Sequence, residues 1–151
     1  MIRVLLVSDR PAVRAGLAQV IDSEPGLRAD VAAPDAALAA AAGADVALID
    51  FPLAAHDAFE VCRSLRQVPT APLVALYCDR SRAEAGVAAR VIEADAVVDK
   101  GAEVPSLFEQ LRRVARDQAG GAALSAASVS RVLTTRPSRH RHRIRSPTAS
   151  T

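Results

Sequence analysis

Three charged residues stand close behind short apolar segments of the sequence. Asp9, Asp50 and Lys100 each lie within two residues of the end of such a segment. If the segments are parallel strands of one sheet, their carboxyl ends share an edge and the three side chains converge there. Two carboxylates can hold a hard divalent cation such as Mg²⁺, which prefers oxygen ligands, and an ammonium can offset the charge of a phosphoryl group. Asp50 could then act as a carboxylate nucleophile that forms an acyl phosphate.

Each of these residues also has an ordinary structural explanation. Asp9 could cap the first helix, Asp50 could be a turn residue at the end of a strand, and Lys100 could be a lysine left by chance. However, Lys100 is the only lysine of the chain, against 18 arginines. This bias favours a position that requires a compact ammonium where a planar guanidinium would not fit. The joint placement of all three residues makes coincidence the weaker explanation.

Strand and helix patterns alternate along residues 1–118. Nearly continuous apolar runs predict strands that are covered on both faces of a sheet. The predicted strands cover residues 2–7, 27–31, 45–49, 72–77 and 95–99. Helical spacing and capping patterns predict five helices. They begin near Pro11, Pro34, Asp57, Ser81 and Ser106. The alternation predicts an α/β fold, a flavodoxin-like doubly wound sheet of five parallel strands with flanking helices, in which the first and third strands are neighbours.

Three segments of the chain resemble a known family. Residues 2–17 (IRVLLVSDRPAVRAGL), 46–50 (VALID) and 97–101 (VVDKG) are similar to segments of the receiver domains of bacterial response regulators, which are CheY-like, and most closely to the NarL/FixJ type. The resemblance covers about residues 1–118 and depends on the order and spacing of the segments. It implies that Asp50 is the phosphoacceptor, that Asp9 and Asp50 are metal ligands, and that Lys100 contacts the phosphoryl group. It further implies a signalling module of a two-component system rather than an enzyme, with a homodimer and a sensor kinase as partners.

The sequence departs from the family pattern around the expected phosphorylation site. The first of the family's two adjacent acids is Ser8 here, so Mg²⁺ is expected to bind weakly or not at all. Tyr77 takes the place of the family's Thr or Ser after the fourth strand, and Val97 takes the place of the aromatic switch residue on the fifth. Tyr77 could fill the space left at Val97 and lock one conformation, although a partly buried strand-end tyrosine is the simpler interpretation. The resulting prediction is an atypical receiver in which phosphorylation of Asp50 is weak or absent.

Other residues that could carry chemistry have simpler explanations. His56 follows the loop after Asp50 and could contact the pocket, but an exposed loop histidine is the simpler interpretation. Cys62 and Cys78 lie in apolar surroundings without metal-ligand spacing, so buried free thiols in a reducing cytoplasm are expected. No apolar run approaches the roughly 18 residues of a membrane span, and the N-terminus lacks the features of a signal peptide. A cytoplasmic protein without membrane contact is therefore expected.

The charge is divided between an acidic body and a basic tail. Residues 1–118 contain all 17 acidic residues and 13 basic ones, a net charge of −4, whereas residues 119–151 contain six arginines and no acid. Residues 119–133 are predicted to be a linker that could form a short helix. Residues 134–151 are predicted to be disordered, because their composition cannot bury enough apolar surface to fold. In the family such a linker precedes a DNA-binding helix-turn-helix domain, so the chain is expected to be either a truncated relative or a stand-alone receiver.

Three classes of function remain open from the sequence. The first is a receiver in signal transduction and transcription regulation that acts through protein contacts and dimerisation. The second is a nucleic-acid-binding protein, whose tail arginines would contact phosphates without reading sequence. The third is a small-molecule sensor that uses the strand-end pocket, which is an analogy at the level of the fold only.

Overall fold

A computed structural model describes residues 1–79 and 94–119. Within them the strands are β1 (Ile2–Val7), β2 (Leu27–Ala32), β3 (Val46–Asp50), β4 (Leu73–Cys78) and β5 (Ala96–Asp99). The helices are α1 (Pro11–Asp22), α2 (Ala37–Ala40), α3 (Ala58–Arg66) and α4 (Val104–Ala119), and a 3₁₀ turn (Pro34–Ala36) precedes α2. The helix expected to begin at Ser81 lies outside the described residues, as do residues 120–133 of the predicted linker and the whole of the predicted tail.

The five strands form one parallel sheet in the order β2-β1-β3-β4-β5. The first and third strands are therefore neighbours, and the predicted flavodoxin-like architecture is confirmed. The register pairs Val7 with Ile49 across β1 and β3, and Asp50 with Tyr77 across β3 and β4. These pairings bring the carboxyl ends of the three central strands to one edge of the sheet. None of the helices in the described part of the chain is long and apolar enough to cross a membrane.

Both faces of the sheet are covered by helices. One face packs Leu5 and Ile49 against α2 and α3, and the other packs Leu6 and Leu48 against α1 and α4. Successive side chains of a strand point to opposite faces, so a strand covered on both sides is apolar throughout. Every residue of β3 is buried, including Asp50. Its carboxylate therefore depends on partners at the strand end to compensate its charge.

Capping residues were predicted for the starts of α3 and α4, and the prediction is correct for α3 only. The Asp57 carboxylate accepts a hydrogen bond of 2.9 Å from the Phe59 amide, so the predicted cap of α3 is confirmed. The predicted capping box of Ser106 and Glu109 is wrong, because α4 already begins at Val104. Proline is tolerated in a first helical turn, where the amide needs no helical partner. Pro105 therefore lets the helix start two residues earlier.

Candidate functional site

Asp50 lies at the centre of a polar cluster at the carboxyl edge of the sheet. Its side chain is only 3% exposed. The Ser8 hydroxyl donates to Asp50 Oδ2 at 2.8 Å, and Arg10 Nη2 donates to the same oxygen at 2.7 Å. The ammonium of Lys100 lies 2.5 Å from Asp50 Oδ1. Asp50 Oδ1 accepts no hydrogen bond of good geometry from the described residues. Its contact with Lys100 is therefore an ion pair. The structure thus brings Asp50 and Lys100 together, as the strand-end pattern predicts.

Lys100 is held in place by backbone contacts on both sides. Its amide donates to the Cys78 carbonyl at 3.0 Å, which extends the pairing of β4 and β5 by one step. Its ammonium also donates to the Phe51 carbonyl at 2.9 Å, directly after the phosphoacceptor candidate. The same nitrogen lies 5.5 Å from the centre of the Tyr77 ring, within the range of a cation–π contact. Lys100 therefore links the ends of β3, β4 and β5.

Arg10 is a site residue that the sequence reasoning missed. It is the N-cap residue of α1, and its side chain reaches back to Asp50. Its amide donates to Ser8 Oγ at 3.1 Å, so that hydroxyl accepts from Arg10 while it donates to Asp50. One helical turn further on, Arg14 donates to the Ser8 carbonyl at 2.5 Å. The available signal was the position of Arg10 directly behind β1, but one arginine among 18 carries little information by its type.

Asp9 contacts backbone amides, whereas the sequence predicted it to be a metal ligand. Its Oδ2 accepts hydrogen bonds from the amides of Ala54, by a short contact, and Ala55 at 3.0 Å, both in the loop after β3. Its Oδ1 is buried and has no hydrogen-bond partner within residues 1–79 and 94–119. The alternative that Asp9 caps the first helix is wrong, because Arg10 occupies the N-cap position and no side chain caps that helix. Asp9 instead fixes the loop that follows the phosphoacceptor candidate.

The electrostatics of the cluster favour an ionised Asp50. Burial acts to raise the pKa of Asp50, but the contacts of Lys100, Arg10 and Ser8 outweigh burial and hold this pKa below its ordinary value. The hydrogen bond and charge of Asp50 in turn raise the pKa of Arg10. Burial raises the pKa of Tyr77, and the charge of Asp50 adds to that shift. Asp50 is therefore a buried carboxylate that is kept ionised by two cationic neighbours, Arg10 and Lys100.

A divalent cation does not fit the residues as they are arranged. Asp50 Oδ2 already accepts two hydrogen bonds, and its Oδ1 faces an ammonium. Asp9 Oδ2 accepts two backbone amides. Asp9 Oδ1 and Asp50 Oδ1 are the buried carboxylate oxygens of the described residues that have no hydrogen-bond donor. No group of three or more His, Cys, Asp or Glu side chains suited to a metal occurs among the described residues. Mg²⁺ is usually held by one or two carboxylates together with waters, so at this site it would have to displace Arg10 or Lys100 from Asp50.

The alternative in which Tyr77 fills the space at Val97 does not match the strand register. The register pairs Tyr77 with Val98, and Leu76 with Val97. Since successive residues of a strand point to opposite faces, Tyr77 and Val97 lie on different faces of the sheet. Tyr77 is partly buried and packs with the face covered by α1 and α4, which agrees with the simpler interpretation of a strand-end tyrosine. The sequence could not supply this result, because the cross-strand register is not visible in it. Whether either residue acts as a switch stays a prediction.

His56 belongs to another part of the surface. Its Nε2 lies 2.9 Å from Asp35 Oδ1, an exposed contact between the loop before α3 and the turn before α2. The two residues line a cleft of about 370 Å³ together with Leu38 and Glu60. The described hydrogen bond of His56 therefore goes to Asp35 and not to the Asp50 cluster, in line with the simpler of the two interpretations.

Comparison with solved structures identifies the fold. The chain is similar to the chemotaxis response regulator CheY4 of Vibrio cholerae, with 23% sequence identity, coverage of 76% of this chain and 98% of that one, and a TM-score of 0.62. The chain has the CheY-like receiver fold of response regulators. No family model matches its sequence, and no curated protein does.

Two further structures support this assignment of the receiver fold. The response regulator ChrA of a heme-sensing two-component system is 25% identical, with coverage of 92% of this chain and 68% of that one and a TM-score of 0.64. The response regulator TrrA of Thermotoga maritima, in complex with Mg²⁺ and BeF, is 23% identical, with coverage of 76% and 99% and a TM-score of 0.63. The Mg²⁺ is part of that structure. In the present chain Asp50 is instead contacted by Ser8, Arg10 and Lys100.

Proposed function

We propose that this chain is a receiver module of two-component signal transduction that acts through protein contacts, including self-association, and that it is not an enzyme. One observation carries the proposal. The buried Asp50 carboxylate at the end of β3 forms an ion pair of 2.5 Å with Lys100, the only lysine of the chain. A receiver fold with this pair at its carboxyl edge has the central elements of a phosphoacceptor site. A sensor kinase is the proposed upstream partner, and regulation of transcription is the proposed output.

The same geometry supports weak or absent phosphorylation of Asp50 as the control input. Ser8 and Arg10 hold Asp50 Oδ2, and the Lys100 ammonium faces Oδ1, so attack on phosphorus competes with these contacts. Tyr77 and Val97 replace the usual switch residues, and the register places them on different faces of the sheet, which does not favour direct coupling between them. A modification that makes no differential contacts in two states does not shift the equilibrium between them.

A phosphodonor experiment tests this proposal. The protein is incubated with a small phosphodonor and Mg²⁺, and its intact mass and its sedimentation are measured beside those of Asp50→Asn. We expect much less than stoichiometric phosphorylation and the same self-association in both proteins. Stoichiometric phosphorylation that disappears in Asp50→Asn and changes the oligomeric state would contradict the weak-phosphorylation proposal. A protein that stays monomeric across the concentration range would contradict the proposed self-association.

A second candidate function rests on the basic residues at positions 119–151. Six arginines without an acid give this segment a charge that can bind nucleic-acid phosphates. Binding of this kind weakens steeply with salt, because it releases condensed counterions. DNA binding that depends on salt and is lost on deletion of residues 134–151 would favour this candidate. Self-association that survives the deletion would favour the receiver.

A further inference from the structure

The guanidinium of Arg10 stands where a counter-ion of Asp50 is needed. It lies 2.7 Å from Asp50 Oδ2, the oxygen that also accepts the Ser8 hydroxyl. The Arg10 side chain is 50% exposed, so its contact with Asp50 joins the buried carboxylate to the solvent side of the site. A free cation approaching from solvent would meet this guanidinium at the carboxylate.

The charges of the cluster balance within the chain itself. Asp9 and Asp50 carry two negative charges, and Arg10 and Lys100 carry two positive ones. A carboxylate oxygen offers about two acceptor sites, and those of Asp50 Oδ2 are taken by Ser8 and Arg10. A divalent ion in addition to Arg10 would place further positive charge beside two cations, and it could reach Asp50 only through Oδ1, which already faces the Lys100 ammonium.

We infer that Arg10 is the resident cation of the Asp50 site, which excludes divalent ions by occupying their position at the carboxylate. The inference rests on the proposed function in taking Asp50 as the reactive carboxylate of a receiver. It does not depend on phosphorylation, because cation binding can be measured in the absence of any phosphodonor. A failure of the proposed function in the phosphodonor experiment is therefore distinguishable from a failure here.

Removal of the guanidinium tests the inference most directly. Mn²⁺ serves as the probe, because it accepts the same oxygen ligands as Mg²⁺ and its free concentration can be followed by electron paramagnetic resonance. We expect Arg10→Gln to bind Mn²⁺ roughly tenfold more tightly than the wild type, or better, because it removes a positive charge a few ångströms from the ion. The gain should disappear in the double variant Arg10→Gln/Asp50→Asn. The matched control is Arg14→Gln, which removes an equal charge one helical turn away, where it contacts the Ser8 carbonyl and not Asp50.

The unmodified chain supplies an independent measurement. Because Arg10 covers Asp50, wild type and Asp50→Asn should bind Mn²⁺ equally weakly. Tight binding in the wild type that is lost in Asp50→Asn would overturn the inference, and this comparison does not require the Arg10 variant to fold. No gain in folded Arg10→Gln, or an equal gain in Arg14→Gln, would overturn it as well.

Discussion

The hydroxyl of Ser8 donates a hydrogen bond of 2.8 Å to the carboxylate of Asp50, from the end of β1 to the end of β3. Ser8 is itself buried. The receiver pattern that the sequence resembles has an acid at this position, and an ionised acid could only accept hydrogen bonds. The serine therefore converts a position suited to holding a metal ion into one that stabilises the Asp50 carboxylate directly.

We expect Ser8→Ala to lower the free energy of unfolding by about 1.5–3 kcal/mol, the usual range for a hydrogen bond to a charged group. The loss arises because a buried carboxylate oxygen gives up one of its two donors. Urea unfolding at neutral pH measures it. Ser23→Ala is the control, because the exposed Ser23 hydroxyl donates only to the Val20 carbonyl of its own helix. Its effect should stay within about 0.5 kcal/mol, and equal losses in the two variants would count against the role given to Ser8.

Loss of the lysine should be costly only while Asp50 is charged. Breaking a buried ion pair by removing one partner typically costs about 3–5 kcal/mol. We expect Lys100→Met to fall at or below the lower end of that range, because Arg10 still neutralises part of the charge. In the double variant Asp50→Asn/Lys100→Met the two effects should be clearly less than additive in urea unfolding. Additive losses would show that the contact between Lys100 and Asp50 contributes little to stability.

Tyr77 is the only tyrosine of the chain, so its ionisation can be followed without interference by the ultraviolet absorbance of the phenolate. Burial and the charge of Asp50 raise the pKa of Tyr77, so we expect a midpoint above the ordinary value of 10.0. The folded state favours the neutral phenol. This contribution to stability is therefore complete below pH 10.0 and is lost as the pH rises through the pKa of the folded protein.

Asp50→Asn provides the comparison for this titration. It removes one negative neighbour of Tyr77 and frees the Lys100 ammonium beside the ring, and both changes favour the phenolate. The midpoint of Tyr77 should therefore fall in Asp50→Asn. An unchanged midpoint would mean that the ring does not sense the Asp50 cluster, contrary to the described geometry.

The two cysteines are expected to be unreactive in the folded protein. Cys62 and Cys78 are both buried and neither is in a disulfide. Burial raises the pKa of Cys78, which lowers its thiolate fraction. An aromatic disulfide reagent should therefore react slowly with the native protein and should titrate two thiols after denaturation. Rapid release of one equivalent from the native state would contradict the described burial.

The sequence predicts the fold better than it predicts the site. Nearly continuous apolar runs are a direct consequence of a sheet buried on both faces. Their alternation with helices allowed the strands and their order to be derived. The meeting of Asp50 and Lys100 followed from strand ends sharing one edge. The partners of Asp9 could not be derived, because they are backbone amides of a loop, and backbone amides leave no trace in the amino-acid pattern.

Two further features of the site depend on geometry that arises only in the folded chain. The contact of Arg10 with Asp50 depends on how a long side chain folds back over the edge of the sheet, and the residue type alone does not fix that direction. The opposite faces of Tyr77 and Val97 follow from a register set by packing. A shift of one residue in that register would have placed the two side chains on the same face.

A cation that belongs to the polypeptide behaves differently from one supplied by the solution. The occupancy of a free ion follows its concentration, so dialysis or a chelator can remove it. The guanidinium of Arg10 is held beside Asp50 by covalent bonds, and neither treatment can dilute it. The charge of this carboxylate is therefore neutralised because residue 10 is an arginine, and the neutralisation does not vary with the supply of magnesium.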